Sequence, residues 1–211
     1  MACGRCCREV VVVDFETTGL SPDYERIIEV GAVRFCDGKP AESFDQLMNP
    51  GWRIPSFITE LTGISNAMVR GKPTPEAVMP ALKEFIGDRV VVAHNASFDA
   101  KFLHAEMARV RLTVDSPILC TLLLSRRLIP GLSSYKLEYV ARHLCIESDV
   151  YHRALDDVLV TGKLWDHLYR EVGTHVGREH PHYELFKTIM KKPKRSVPDY
   201  LRAQALKNSQ V

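Results

Sequence analysis

Hydrophobic positions along this chain follow two different rhythms. The run EVVVVDF at 9–15 is β-branched, short and ends in charge, as a buried strand does. RIIEVGAVRFC at 26–36 is β-branched and partly alternating, which predicts a second strand. The Asp37-Gly38 pair then predicts a tight turn into a third strand near 43–48. Pro55 and Gly63 bracket a short helix, and Pro75 opens another over about 75–86 that Gly87 closes. RVVVA at 89–93 repeats the buried-strand pattern. From Phe98 to Val110 the apolar residues Phe98, Phe102, Leu103, Met107 and Val110 fall at helical spacing. Residues 118–129 read as a short strand running into a helix, and 136–144 as a helix. The stripe Leu155, Val158, Leu159, Leu164, Trp165 and Leu168 marks a long helix over 154–172. Hairpin-linked strands followed by alternating helices and strands predict an α/β domain with a mixed sheet.

Beyond Gly173 the pattern weakens, and His, Gly, Pro and Lys become common. The chain therefore divides into an N-terminal segment (1–8), a folded domain (9–172) and a C-terminal extension (173–211). The formal net charge is only +2, but residues 187–211 carry seven Lys or Arg against Asp199. A basic extension on a slightly acidic body suits a polyanionic partner. No apolar run approaches the roughly 20 residues of a membrane span. MACGRCCREV lacks the apolar core of a secretory leader, so a cytoplasmic protein is expected, with its six cysteines as thiols. Cys3 and Cys6 have the spacing of half a zinc site, with no second pair to complete it.

Candidate chemistry sits at three places. Asp14 and Glu16 end the first strand, and alternation puts both on one face. Carboxylates so close repel unless a cation or proton separates them. Asp99 follows the 89–93 strand. If that strand runs parallel to the first, Asp99 reaches the same sheet end, where ligands gather in open α/β sheets. His152 and Asp157 lie at the start of the long helix, with Asp156 rotated about 100° away from Asp157. Singly, each has an ordinary structural explanation: a solvated strand end, a helix N-terminal Asp favoured by the dipole, a cap.

The order of the motifs carries more than any one of them. VVVDFETTGL, RIIEVGAVRF, AHNASFD, KLEYVARHL and HRALDD follow one another in a way that resembles the DEDDh family of 3′–5′ exonucleases, over about residues 9–170. That family includes the epsilon proofreading subunit of bacterial DNA polymerase III and ribonuclease T. The resemblance implies a ribonuclease H-like fold, a five-stranded mixed sheet with the second strand antiparallel and helices on its flanks. It implies two Mg²⁺ or Mn²⁺ ions, with Asp14 bridging both, Glu16 and Asp157 on the first, and Asp99 acting directly or through water. Two such ions, about 3.5–4 Å apart, neutralise a phosphate and activate water. His152 would be the general base, its ordinary pKa lying near neutrality.

Thr17, Thr18, Leu20, Asn95 and Phe98 are the candidate contacts to a terminal nucleotide. Thr17 and Thr18 would offer backbone N–H groups and a hydroxyl, and Leu20 a wedge against the base. Packing in the core is the competing role for Leu20 and Phe98, and His94 is read as structural. The implied activity is removal of nucleoside monophosphates from 3′ ends of single-stranded or frayed DNA, in proofreading or repair. Trimming of RNA is the alternative within the class, and a non-catalytic nucleic-acid-binding subunit the alternative outside it. Implied partners are single-stranded DNA, a DNA polymerase or a sliding clamp, and no membrane. HYELF at 182–186 faintly resembles clamp-docking peptides, without their leading Gln.

Overall fold

The computed structural model describes residues 8–146 and 153–209. Strands β1 (Glu9–Thr17), β2 (Ile27–Cys36) and β3 (Lys39–Leu47) form an antiparallel meander. β4 (Val90–Ala93) lies parallel to β1, and β5 (Ile118–Cys120) parallel to β4. Among the described residues they make one five-stranded sheet in the order β3-β2-β1-β4-β5. This is the mixed, helix-flanked sheet implied by the motif order. The β2–β3 turn has Asp37 and Gly38 both at positive φ, 50° and 79°. A two-residue hairpin requires that backbone, and Asp and Gly adopt it at little cost.

The helices are α1 (Ser56–Thr62), α2 (Asn66–Val69), α3 (Pro75–Ile86), α4 (Ser97–Arg109), α5 (Thr121–Leu128), α6 (Leu137–His143), α7 (Ala154–Val176), α8 (Tyr183–Lys191) and α9 (Val197–Asn208). Strand alternation sorts their cover. Val11, Val13 and Phe15 of β1 face α3 and α4, with Val78, Leu82, Phe102 and Met107. Val10 and Val12 face the other way, onto Val158, Leu164, Trp165 and Leu168 of α7. Asp14 and Glu16 continue that second row. The α7 side therefore gains two carboxylates at the strand's end.

Two glycines let α7 lie close to the sheet. A Cβ on Gly162 would run into the ring of Phe35, and one on Gly31 would overlap the backbone of Ala154.

Four readings of the sequence need correction. β3 starts at Lys39, four residues before the expected 43, because the hairpin keeps pairing down to Cys36↔Lys39. The stretch after Gly173 is folded: α7 runs on to Val176, and α8 and α9 pack onto the same core through Phe186, Ile189, Val197 and Leu201. HYELF is accordingly no free docking peptide. His182 caps α8, and fully buried Phe186 packs on Trp165 and Tyr169 at 4.9 and 5.3 Å between ring centres. The cysteines are not all thiols either. Cys120 and Cys145 are free, but Cys36 is disulfide-bonded. Cys3, Cys6 and Cys7, the half zinc site, lie outside the described residues. No helix among the described residues is long and apolar enough to cross a membrane.

Because Phe186 closes the core over α7, Phe186→Ala should cost about 3–5 kcal/mol of stability, the usual range for a buried aromatic. Chemical denaturation measures this. A loss under 1 kcal/mol would mean that α8 is only loosely applied to the domain.

Candidate active site

The register of the sheet builds the site. Asp14 and Glu16 pair across to Gly31 and Glu29 of β2. Glu29 is 1% exposed, and a carboxyl buried this deeply requires a partner. It finds one in Arg153, whose Nη2 donates to Glu29 Oε1 at 2.7 Å, and in the Ala154 backbone N–H at 3.1 Å. With Gly31 making room beside it, this contact seats the first turn of α7 on β2. Asp157 is thereby delivered to the carboxylates of β1. One oxygen each from Asp14, Glu16 and Asp157 lie within 4.8 Å of one another.

Asp99 enters from the first turn of α4 and is buried. It stands outside that trio, but its charge is the largest of those acting on Asp14. Asp156 points elsewhere: its charge acts on Asp45 and Arg153. His152 lies outside the described residues.

The crowding is visible in the proton affinities. Burial, then the charges of Asp99, Glu16, Asp157 and Glu29, push the Asp14 carboxyl well above the usual carboxylate range. Burial and the charges of Asp157 and Glu29 push Glu16 up to about 7, against the pull of Arg153. Burial pushes Asp99 to about 7 despite backbone hydrogen bonds from Asp99 itself and Phe15. A cluster of hard oxygen donors with this much mutual repulsion fits a divalent cation.

The β1–β2 loop beside the carboxylates is held rigidly. Arg26 donates to Glu106 at 2.8 and 2.9 Å and to Glu76 at 2.6 Å, while Arg109 reaches the Pro22 carbonyl. Within the loop, Thr17 donates its hydroxyl proton to the Gly19 carbonyl at 2.6 Å. The Thr18 hydroxyl donates to Glu25 and accepts from the Arg26 N–H. The Thr18 N–H donates to the Arg26 carbonyl. These groups of Thr17 and Thr18 shape the loop. Leu20 is not core: it is 85% exposed at the loop's tip.

Asn95 is exposed, at a left-handed φ of 65°, in the turn between β4 and α4. Phe98 is partly buried, tilted on Phe102 with centres 4.9 Å apart. Residues that the sequence reading passed over also border this end. Trp52, Phe57 and Leu61 are exposed large apolar groups on and before α1. That helix packs through Ile58 onto Ile28, one residue beyond the strand partner of Thr17. Their only trace in the sequence is an apolar surplus on a short helix.

His94 is structural, as expected. It bonds the Thr121 hydroxyl through Nδ1 and the Tyr135 carbonyl through Nε2, both at 2.9 Å. Burial pushes it down to about 4, so the ring is neutral at pH 7. A carbonyl only accepts, which puts the proton on Nε2 and leaves Nδ1 to accept from Thr121.

Fold and site together define a nuclease-type carboxylate centre at the end of a mixed sheet. The exonuclease family profile (RNase_T) matches residues 11–165, and the chain belongs to that family. It is 39% identical over 163 residues to the DNA polymerase III subunit epsilon of Aquifex aeolicus, covering 77% of this chain and 81% of that protein. It is 44% identical over 156 residues to the DNA polymerase III PolC-type of Clostridium perfringens, covering 74% of this chain and only 11% of that much longer protein. The structure of exonuclease X in complex with 5′ overhanging duplex DNA superposes with a TM-score of 0.69 at 28% identity, covering 86% of this chain and 99% of that one. Exonuclease I shares the fold, with a TM-score of 0.68 at 20% identity over 80% of this chain and 44% of that one.

The raised carboxyls predict how the metal-free protein responds to pH. They bind protons more tightly folded than unfolded. Their contribution to stability is thus full below the unfolded values near about 4 and is lost as pH rises toward about 7. In chelator, the melting temperature should fall between about pH 5 and about 7.5, and Mg²⁺ should restore it. Asp14→Asn should raise the chelated protein's melting temperature at pH 7 by about 2–4 °C, equivalent to ~1 kcal/mol in a chain of this size. A flat profile in chelator would show that the carboxylates do not crowd one another.

Proposed function

We propose that this chain is a metal-dependent 3′–5′ exonuclease that releases nucleoside monophosphates from single-stranded or frayed DNA ends. The observation that carries the reading is the meeting of Asp14, Glu16 and Asp157 within 4.8 Å, with Asp99 beside them, in a chain of the exonuclease family. Asp14, Glu16 and Asp157 would hold the cations, Mg²⁺ or Mn²⁺, with Asp99 near. Two such ions supply charge neutralisation of the phosphate, activation of water and stabilisation of the leaving oxygen.

The remaining work falls to the chain's own groups. His152 takes the proton of the attacking water, the general-base work for which an imidazole is the usual side chain. Exposed Leu20 packs against the terminal base, and the turn at Asn95 and Phe98 borders the same nucleotide. The relatives named for DNA polymerase III support a place beside a replicative polymerase, in proofreading.

Degradation of 5′-labelled single-stranded DNA, duplex DNA and RNA, with Mg²⁺ and with chelator, tests this reading. Single-stranded DNA should shorten from its 3′ end only with the metal. Asp14→Ala should abolish the reaction while the protein stays folded, and Asp156→Ala should be mild. Equal loss at both positions would reassign the ligand to Asp156, and substantial Mg²⁺-dependent activity in Asp14→Ala would sink the assignment. His152→Ala should slow turnover by about 10²–10⁴-fold with folding unchanged. A loss under about threefold would take the general base away from His152.

A further inference from the structure

A cleft of about 280 Å³ lies far from the carboxylate centre, where α5, α7 and α9 meet. Glu171, on its wall, comes 14 residues after Asp157 on α7, about 21 Å along the helix axis. The exonuclease family profile ends at residue 165, so the Glu171 and α9 walls lie beyond the part of the chain that it matches. The volume is near the lower end of the roughly 300–1,000 Å³ of ligand clefts, which limits an occupant to a small molecule. Leu128 of α5 and Val197 and Leu201 of α9 give the cleft an aliphatic lining, continuous with the core beside α7.

Charges of both signs stand on that lining. Glu171 is its one acidic group. Among the described residues, Glu171 Oε2 is shut off from solvent and accepts no hydrogen bond. His167 Nε2 and His175 Nε2 stand 3.9 Å from its two oxygens, too far to donate. Burial pushes the Glu171 carboxyl up, against the pull of both histidines. A buried carboxyl oxygen without a donor is costly, and a bound cation would satisfy it. Two arginines supply the opposite charge. Arg127 is held by donating from Nε to the Lys192 carbonyl and from Nη1 to the Leu123 carbonyl, both at 2.9 Å, which leaves Nη2 to a ligand. Arg202 donates from Nη2 to Asp199 at 2.6 Å and keeps its other N–H groups. An amine alone would meet the arginines here, and a carboxylate alone would meet Glu171. An occupant matched to the cleft carries both charges on a short aliphatic body, and the smallest such species is an aliphatic α-amino acid.

We propose that this cleft binds a free aliphatic α-amino acid of about leucine's size. Its ammonium sits on Glu171, its carboxylate on Arg127 and Arg202, and its side chain on Leu128, Val197 and Leu201. The proposal does not rest on the exonuclease reading.

The test is an NMR titration of the isotope-labelled full chain with L-leucine at millimolar concentrations. Backbone signals of Glu171, His175, Leu201 and Arg202 should shift and saturate, while those of Asp14 and Asp99 stay in place. Glu171→Gln keeps the shape of the side chain and removes its charge. It should weaken binding about 10–100-fold, the range of a charge-assisted hydrogen bond. Arg202→Ala, at an exposed position, should weaken it about tenfold. The unliganded spectra show whether each variant is folded. 4-Methylpentanoate and 3-methylbutylamine each lack one of the two charges, and each should bind about tenfold or more weakly than leucine. No saturable shift with leucine overturns the proposal. So does undiminished binding by folded Glu171→Gln, or a single-charge analogue that binds as tightly as leucine.

Discussion

The site depends on one ion pair, between buried Glu29 and half-exposed Arg153. Glu29 sits near the start of a strand whose residues are almost all apolar, and Arg153 and the Ala154 N–H satisfy its buried carboxyl. Breaking such a pair from one side leaves an uncompensated buried charge, which is costly enough to enforce the geometry. What it enforces is the seat of α7: its first turn against Gly31, directly across the ladder from Asp14. From there the helix has no freedom in where it presents Asp157. A single contact between elements 124 residues apart thus converts a pair of acidic side chains on one strand into a cluster of three.

That cluster is unstable in isolation, and the fold is built to tolerate it. Among the described residues, it is the charge of Arg153 that opposes the repulsion on Glu16. Elsewhere the arginines are spent on rigidity. Arg26, clamped by Glu106 and Glu76, fixes the loop that lifts Leu20 clear of the surface. The carboxylates therefore meet an incoming ion or phosphate on a scaffold that does not need to rearrange, which is the condition for electrostatic preorganisation.

Much of this was legible along the chain. The valine runs of β1 and β4 and the Asp37-Gly38 turn specify strands by local chemistry alone, and Asp14, Glu16 and Asp99 follow from where those strands end. Asp157 was readable from motif order, although its meeting with Asp14 needs the seat of α7. The parts that stayed hidden are those whose meaning is non-local. Glu29 and Gly31 stand out in a buried strand only once Arg153 and Ala154 are seen against them. The hydroxyls of Thr17 and Thr18 close the loop on itself, a role their place along the chain does not show. α8 and α9 bury only Phe186, Ile189, Val197 and Leu201 among many polar residues, too sparse a stripe to announce a helix.

The same long reach governs the order in which the molecule can assemble. Tyr183 donates to the Glu9 carbonyl at 3.0 Å, closing a span of 174 residues, and Arg8 pairs with Asp166. One face of β1 leaves the ribosome well before α7 and α8, which cover it. At the usual 5–20 residues per second, Val10 and Val12 wait on the order of ten seconds or more for α7 and α8 to emerge. Until then the nascent chain carries a bare, valine-rich sheet face, the kind of surface that molecular chaperones bind and that neighbouring nascent chains on a polysome can cross-pair with.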